Sequence, residues 1–523
     1  MIILLVLVPL LGSLVVLSMP KNQTAWIRRT GVGCCAINFF LSLFFIFCYN
    51  ASKGGIQFEV FFPWVPSLGI GYHAGLDGIS VVMILLHSLV SLSGSLVSYS
   101  IKERVKEYYI FYLLLVASIF GVFSSWDLFF LYFFYEMAVI PMYPLIGIWG
   151  SKNKEYATMK LTLYITGGAV LALVGILALY QVTGLKTFDV LALKDQLAQN
   201  PLPKSFQIWA TPLLIFGFGV IASLWPTHSW SPIGYAAAPS AVSMIHAGVL
   251  KKLGPYLMIR TVLSLMPYGA RFWFPLVATF CVINILYAGY CAMVQRDLKF
   301  MIGFSSVSHM GYVLLGLACL NETALTGAVL LMFSHGVMAA LAFALIGTLY
   351  DQTHTRMIDE LGGGLAKKVP FLAFCFVMTS MASLGLPGFS NFIAEIMIFF
   401  GAWKTFLWQT VAAVFGILVT AVYLLRAIRK VFFGRETVRR SSLKDAVTFF
   451  ERIPYALLLS ALLIFGFFPG LLVHKIETGV RPLTDQILTV FQSEKNSPLS
   501  VWNFGASWPA TAVPVVPLER YKS

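Results

Sequence analysis

Hydrophobic residues run along this chain in repeated stretches of about 20, the length a helix needs to cross the hydrocarbon core of a bilayer, and short polar loops separate them. About 14 spans are predicted: at 1–19 and 30–49, three between 78 and 149, one at 158–184, two between 207 and 265, five between 272 and 433, and one at 454–473. The first lacks a basic leading region and a cleavage site, so it reads as a retained span rather than a signal peptide. Between 54 and 76 the pattern changes to Gly-rich alternation, with Gln57-Phe-Glu-Val-Phe-Phe-Pro-Trp-Val-Pro66 at its centre. That stretch suits an interfacial hairpin better than a helix.

Helix breakers interrupt two spans. One run is Pro226-Thr-His-Ser-Trp-Ser-Pro232 in span seven, and the other is Ser383-Leu-Gly-Leu-Pro-Gly388 in span twelve. In hydrocarbon a broken helix frees backbone groups that only protein or water can satisfy, so such a break belongs to a polar interior route and not to a lipid-facing span. Breaks at corresponding places in two halves are the mark of inverted repeats. The predicted fold is therefore an all-α membrane protein of about 14 transmembrane helices, with two inverted five-helix repeats (about 107–265 and 272–433) and broken helices seven and twelve. These repeats lie in a core over 77–433. Two spans and the hairpin precede it (1–76), the last span follows (434–473), and residues 474–523 read as a polar tail, either docking or disordered.

Composition agrees. Of 523 residues 59% are hydrophobic and 11% charged, more apolar surface than a soluble core can hide. The net charge of +14 raises the question of nucleic acid. The basic residues instead sit in loops after odd-numbered spans: Arg28 and Arg29, Lys102 and Arg104, Lys152 and Lys154, Arg296 and Lys299, Arg356, Lys367 and Lys368, and a cluster including Arg426, Arg429, Arg439 and Arg440. That distribution places those loops in the cytoplasm and both termini on the other side, although Lys186, Lys194 and Lys204 after span six depart from it. The seven cysteines lie in apolar segments without metal-ligand spacing and read as small hydrophobic packers.

Ionisable residues inside spans are expensive and mark ion routes. Glu136 is alone in Leu128-Phe-Phe-Leu-Tyr-Phe-Phe-Tyr-Glu-Met, Lys252 lies in Gly248-Val-Leu-Lys-Lys-Leu-Gly, and Glu395 follows the second break. A buried lysine and carboxylate whose pairing is made and broken form a proton switch, because moving one charge reprotonates the other. His309 and His335 occupy the next two inner helices and suit a relay between Lys252 and Glu395. Lys160, near the start of span six, either relays to such a site or snorkels to the interface. No P-loop, dinucleotide fingerprint, metal cluster or nucleophile elbow stands out, so any redox chemistry belongs to a partner.

These motifs resemble the antiporter-like subunits of respiratory complex I, most closely those of the subunit M type of NADH-quinone oxidoreductase and their counterparts in the plastid and cyanobacterial versions of the complex. The resemblance runs from about residue 65 to 430. It is carried by Gly75-Leu-Asp-Gly-Ile-Ser, Ser124-Ser-Trp-Asp-Leu, Glu136 through Ile146-Gly-Ile-Trp-Gly150, Gln295-Arg-Asp-Leu-Lys, Phe304-Ser-Ser-Val-Ser-His-Met-Gly, His354-Thr-Arg-Met and Leu384-Gly-Leu-Pro-Gly-Phe through Glu395. It implies a 14-helix subunit that moves protons, driven by quinone reduction elsewhere in the complex, in a bacterial inner or thylakoid membrane. No cofactor is expected in this chain; NADH or ferredoxin and quinone are used by the complex. The implied partners are antiporter-like neighbours on both sides, the peripheral redox arm indirectly, and the lipid bilayer, with no nucleic acid. By position, Glu136 matches the family's span-five glutamate, Lys252 its span-eight lysine and Glu395 its span-twelve glutamate. His309 and His335 match histidines of the linking polar axis.

One departure matters. Where the family carries a lysine in span seven this chain has Ile221, and the family's following Asp, His and Glu positions read Ile233, Tyr235 and Ala237. A partner expected for Glu136 is missing. Possible compensating residues are His228, seven positions after Ile221 but beyond Pro226, and the extra ionisables His246 and Lys251 beside Lys252. The competing expectations are a subunit of a multisubunit cation/proton antiporter or membrane-bound hydrogenase, and a structural subunit that no longer pumps.

Overall fold

The computed structural model describes residues 1–436, 443–446 and 448–495. Arg439, Arg440 and the tail from 496 onward lie outside the described residues. Helices α1 (Leu4–Ser18) and α2 (Thr24–Cys48) lead into an antiparallel hairpin, β1 (Gln57–Val65) with β2 (Ile70–Leu76). Then come α3 (Gly78–Val97), α4 (Val105–Ser124), α5 (Leu128–Trp149), α6 (Lys154–Thr183) and the short α7 (Val190–Gln199). Span seven is two pieces, α8 (Lys204–Ala222) and α9 (Trp230–Ala237). Span eight begins as α10 (Ser240–Gly248), tightens at Leu250–Lys252, and continues as α11 (Leu253–Met258) into a π-helical stretch at Ile259–Leu263.

The second half repeats this plan with α12 (Pro267–Val294), α13 (Leu298–Ala318), α14 (Glu322–Thr353), the short α15 (Ile358–Leu361), the broken pair α16 (Pro370–Ser383) and α17 (Ser390–Trp403), and α18 (Leu407–Ile428). Helices α19 (Phe449–Phe467) and α20 (Gly470–Lys495) follow. Among the described residues 11 helices are long and apolar enough to cross a membrane. The shorter α1, the α10–α11 segment and the α16–α17 pair complete the spans expected from the sequence.

One local device recurs in both halves. Asp127 accepts from the Phe129 and Phe130 amides and so caps α5, while Asp297 caps α13 through the Lys299 and Phe300 amides. Each cap satisfies amides that the first helical turn leaves orphaned. Beside each cap the chain forms a two-bond bridge to the segment after the next long helix. Leu128 N donates to Phe188 O and Val190 N to Trp126 O; correspondingly, Leu298 N donates to Arg356 O and Ile358 N to Arg296 O. Each bridge ties the entrance of its repeat's second helix to the exit of its third.

The breaks are satisfied by protein. At the first, Asn284 of α12 donates to Ser223 O at 2.9 Å and accepts from Trp225 N at 2.8 Å. Span seven carries a cis peptide at Trp225-Pro226. Helix α14 is buried along nearly its whole length, and α3 and α13 flank it in the centre. The outer helices present large apolar side chains such as Phe40, Phe47, Leu163 and Trp408.

Where the sequence pattern reads as a polar tail from 474, the chain is helical to Lys495. Leu472, Ile476, Val480, Leu483 and Ile487 recur every three or four residues and are buried against the bundle, where α20 meets α3 and α14. Such a stripe drives an amphipathic helix to dock despite its low overall hydrophobicity.

Candidate functional site

A line of polar side chains crosses the centre of the second half. It starts where α10 ends: the backbone tightens through Leu250–Lys252 and both Lys251 and Lys252 are fully buried. Lys252 Nζ donates to the Ala247 carbonyl and lies 2.9 Å from His335 Nδ1 on α14. The His335 ring stacks on His309 of α13, with centroids 5.1 Å apart and planes 26° from parallel. His309 Nδ1 is 2.8 Å from Ser305 O, and its Nε2 is 3.1 Å from Ser383 O.

The break in span twelve explains that last contact. Ser383 O would accept from the residue four places on, but that residue is Pro387, which has no amide hydrogen. The freed carbonyl turns to His309. Ser305 O already accepts the His309 amide within α13, so a neutral ring, with its single N–H, can donate to the freed Ser383 carbonyl, and a doubly protonated ring donates to both carbonyls. Past the break, Glu395 of α17 is buried with its carboxylate against Gly385, close enough that a Cβ on that glycine would collide with it. Around it Ser383 Oγ, Ser390 Oγ and both amide atoms of Asn391 are buried without protein partners. Buried polar atoms of this kind are ordinarily satisfied by ordered water.

The remaining expected residues fall elsewhere. Glu136 is only half-buried on α5, in one stripe with the exposed Phe133, Ile140 and Tyr143, and accepts from Tyr132 at 3.1 Å. Among the described residues it makes no ion pair. The Lys160 ammonium sits over Tyr156 and Tyr164, 5.8 and 5.7 Å from their centroids. Ile221, where the resemblance expects a lysine, is fully buried near the end of α8. His228 lies in the turn between α8 and α9, so it does not continue the Ile221 face. Instead it is buried beside Tyr287, with Nδ1 unpaired.

The other two compensating candidates converge on Tyr235. Lys251 Nζ is 5.1 Å from the Tyr235 centroid and donates to Ser306 Oγ at 3.3 Å, and the His246 ring packs edge-on 6.2 Å from Tyr235. Among the described residues neither His246 nitrogen has a hydrogen-bond partner. In the sequence Tyr235 stands out only as the loss of a histidine; its role as a platform between two ionisable groups needs the fold. A second missed group is Arg260, paired to Asp77 by two bonds of 2.7 and 2.5 Å and lying 4.1 Å from the Trp126 centroid. An arginine within an apolar span was the signal for it.

Among the described residues, 11 membrane-crossing helices with three shorter or segmented ones, two broken helices and a buried lysine–histidine–glutamate line define a class of membrane-embedded ion-moving proteins. Residues 125–420 match the family described as NADH:quinone oxidoreductase/Mrp antiporter, TM, and the chain belongs to that family. It is 33% identical over 497 residues to NAD(P)H-quinone oxidoreductase chain 4 of Gloeobacter violaceus, covering 93% of this chain and 92% of the relative. It is 32% identical over 486 residues to NADH-quinone oxidoreductase subunit M of Rickettsia conorii, covering 91% and 97%. Among solved structures it superposes on a chain of respiratory complex I from Thermus thermophilus with a TM-score of 0.85 at 27% identity, covering 93% of this chain and all of that one. A chain of the Mrp complex from Dietzia shares the fold, with a TM-score of 0.82 at 22% identity over 94% and 98% of the two chains.

Proposed function

We propose that this chain is a proton-translocating membrane-arm subunit of an NADH- or ferredoxin-quinone oxidoreductase, and that protons pass along Lys252, His335, His309 and Glu395. Electron transfer takes place on partner subunits, and the chain contributes no redox centre. Antiporter-like subunits flank it in a bacterial inner or thylakoid membrane, and both termini face away from the cytoplasm, as the basic loops after odd-numbered spans favour. What supports conduction is the run of direct contacts from Lys252 through two stacked histidines to a carbonyl freed by the broken helix, with a buried carboxylate beyond it. Each group accepts or releases a proton without leaving its place, and the surrounding unpaired hydroxyl and amide groups favour water between them.

The test is Glu395→Gln in the intact complex, reconstituted into proteoliposomes. Protons translocated per electron passed to quinone should fall by this subunit's share, while quinone reduction persists in part. An unchanged ratio in an assembled complex would rule out the conduit. A non-pumping structural role draws support from one observation, that among the described residues Glu136 has no cation beside it and Ile221 stands where the resemblance expects a lysine. The same measurement decides between the two.

A further inference from the structure

If Lys252 to Glu395 conduct, protons must reach Lys252, and the route from Glu136 is broken at Ile221 in this chain. A different opening exists. A cleft of about 570 Å³ lies between the ends of α3, α5 and α14 and the starts of α4 and α6, lined by Lys102, Arg104, Lys154, Asp351 and His354 among others. All these ends lie on the side of the basic loops. Helix α14 has 32 residues, about 48 Å at 1.5 Å per residue, and therefore outreaches a hydrocarbon core of about 30 Å. Asp351 stands about 24 Å along it from His335, so α14 spans from the central line to the cleft.

From the cleft inward the polar groups follow one another. Asp351 is within electrostatic reach of Lys299, which is buried on α13. Lys299 Nζ donates to Ala238 O at 2.8 Å, and Ser243 Oγ donates to the same carbonyl at 3.3 Å. One turn further along α10 is His246, fully buried with both nitrogens unpaired. Beyond it lie Tyr235 and Lys251, adjacent to Lys252. Among the described residues His228 Nδ1 is also buried and unpaired in this part of the bundle, and the Tyr235 and Ser231 hydroxyls have only each other as polar side-chain neighbours. So dense a set of unsatisfied polar atoms costs stability unless water reaches it.

We propose that the cleft is the proton inlet of this subunit and that Lys299, His246 and Lys251 pass protons from Asp351 to Lys252, replacing the route from Glu136. The inlet rests on the conduit reading above, and one experiment separates the two. Asp351→Asn, His246→Leu and Glu395→Gln are each introduced into the intact complex, and the proton-to-electron ratio is measured in proteoliposomes. Asp351→Asn and His246→Leu should lower the ratio to the Glu395→Gln value, and Asp351→Glu should restore it. If Glu395→Gln lowers the ratio while an assembled Asp351→Asn or His246→Leu complex keeps the wild-type value, the inlet is overturned and the conduit stands. If Glu395→Gln has no effect, both fall. The two inlet positions are on different helices, so loss of assembly in one leaves the other to decide.

Discussion

Gly385 holds φ at +64°, and a Cβ there would meet the Glu395 carboxylate. The left-handed conformation alone costs a non-glycine residue about 1–2 kcal/mol. Gly385→Ala should therefore lower the unfolding temperature of the assembled complex and also the proton-to-electron ratio, by displacing Glu395. A destabilised complex that pumps normally would show that the carboxylate's place against the break is immaterial. Asp77→Ala is predicted to be more severe. It leaves the Arg260 guanidinium buried without its partner, a change worth about 3–5 kcal/mol, and the double change Asp77→Leu with Arg260→Met should recover much of the loss. Thermal unfolding of the three variants checks this. At this scale the enclosure of Lys252, His309, His335 and Glu395 was legible, because a titratable group in an apolar helix is costly unless it faces the protein interior. That of Tyr235 and Lys299 was not. A tyrosine in a span and a lysine near a helix start look ordinary until the packing shows them enclosed.

Among elements, the hairpin is held to the start of α7 by His73, whose ring bonds Asp189 on one side and Glu59 at 2.9 Å on the other. Burial opposes a charge on His73, yet the two carboxylates raise its pKa above the ordinary histidine value. Burial likewise works against the Asp189 carboxylate, and His73 overcomes it to hold that pKa below its usual range. The histidine's contribution to docking is thus full below about pH 6.5 and is lost as pH rises through its raised value. That of Asp189 is present above the carboxylate range and lost as pH falls. Amide protection factors (exchange relative to the intrinsic base-catalysed rate) in residues 57–76 and 184–199 should be highest between those limits and lower on the alkaline side. A flat profile from mildly acidic to alkaline pH would refute the coupling. The breaks in spans seven and twelve were plain from Pro and Gly, whereas α20 was passed over because its charged positions hid a stripe of Leu472, Ile476, Val480, Leu483 and Ile487. Periodicity was silent for α14 for the opposite reason: a helix buried on all sides has no polar face to set the period.

For the whole molecule, the Lys252–His335–His309 contacts have an arithmetic consequence. Two unit charges about 5 Å apart in a medium of effective dielectric about 20 repel by roughly 3 kcal/mol, a few hundredfold in occupancy. His335 and His309 stack at that spacing and Lys252 is closer still, while Glu395 is the one carboxylate at the far end of the line. If the proposed conduit operates, this repulsion makes it a single-file turnstile: one excess proton is tolerated, and a second is admitted only as the first is ejected.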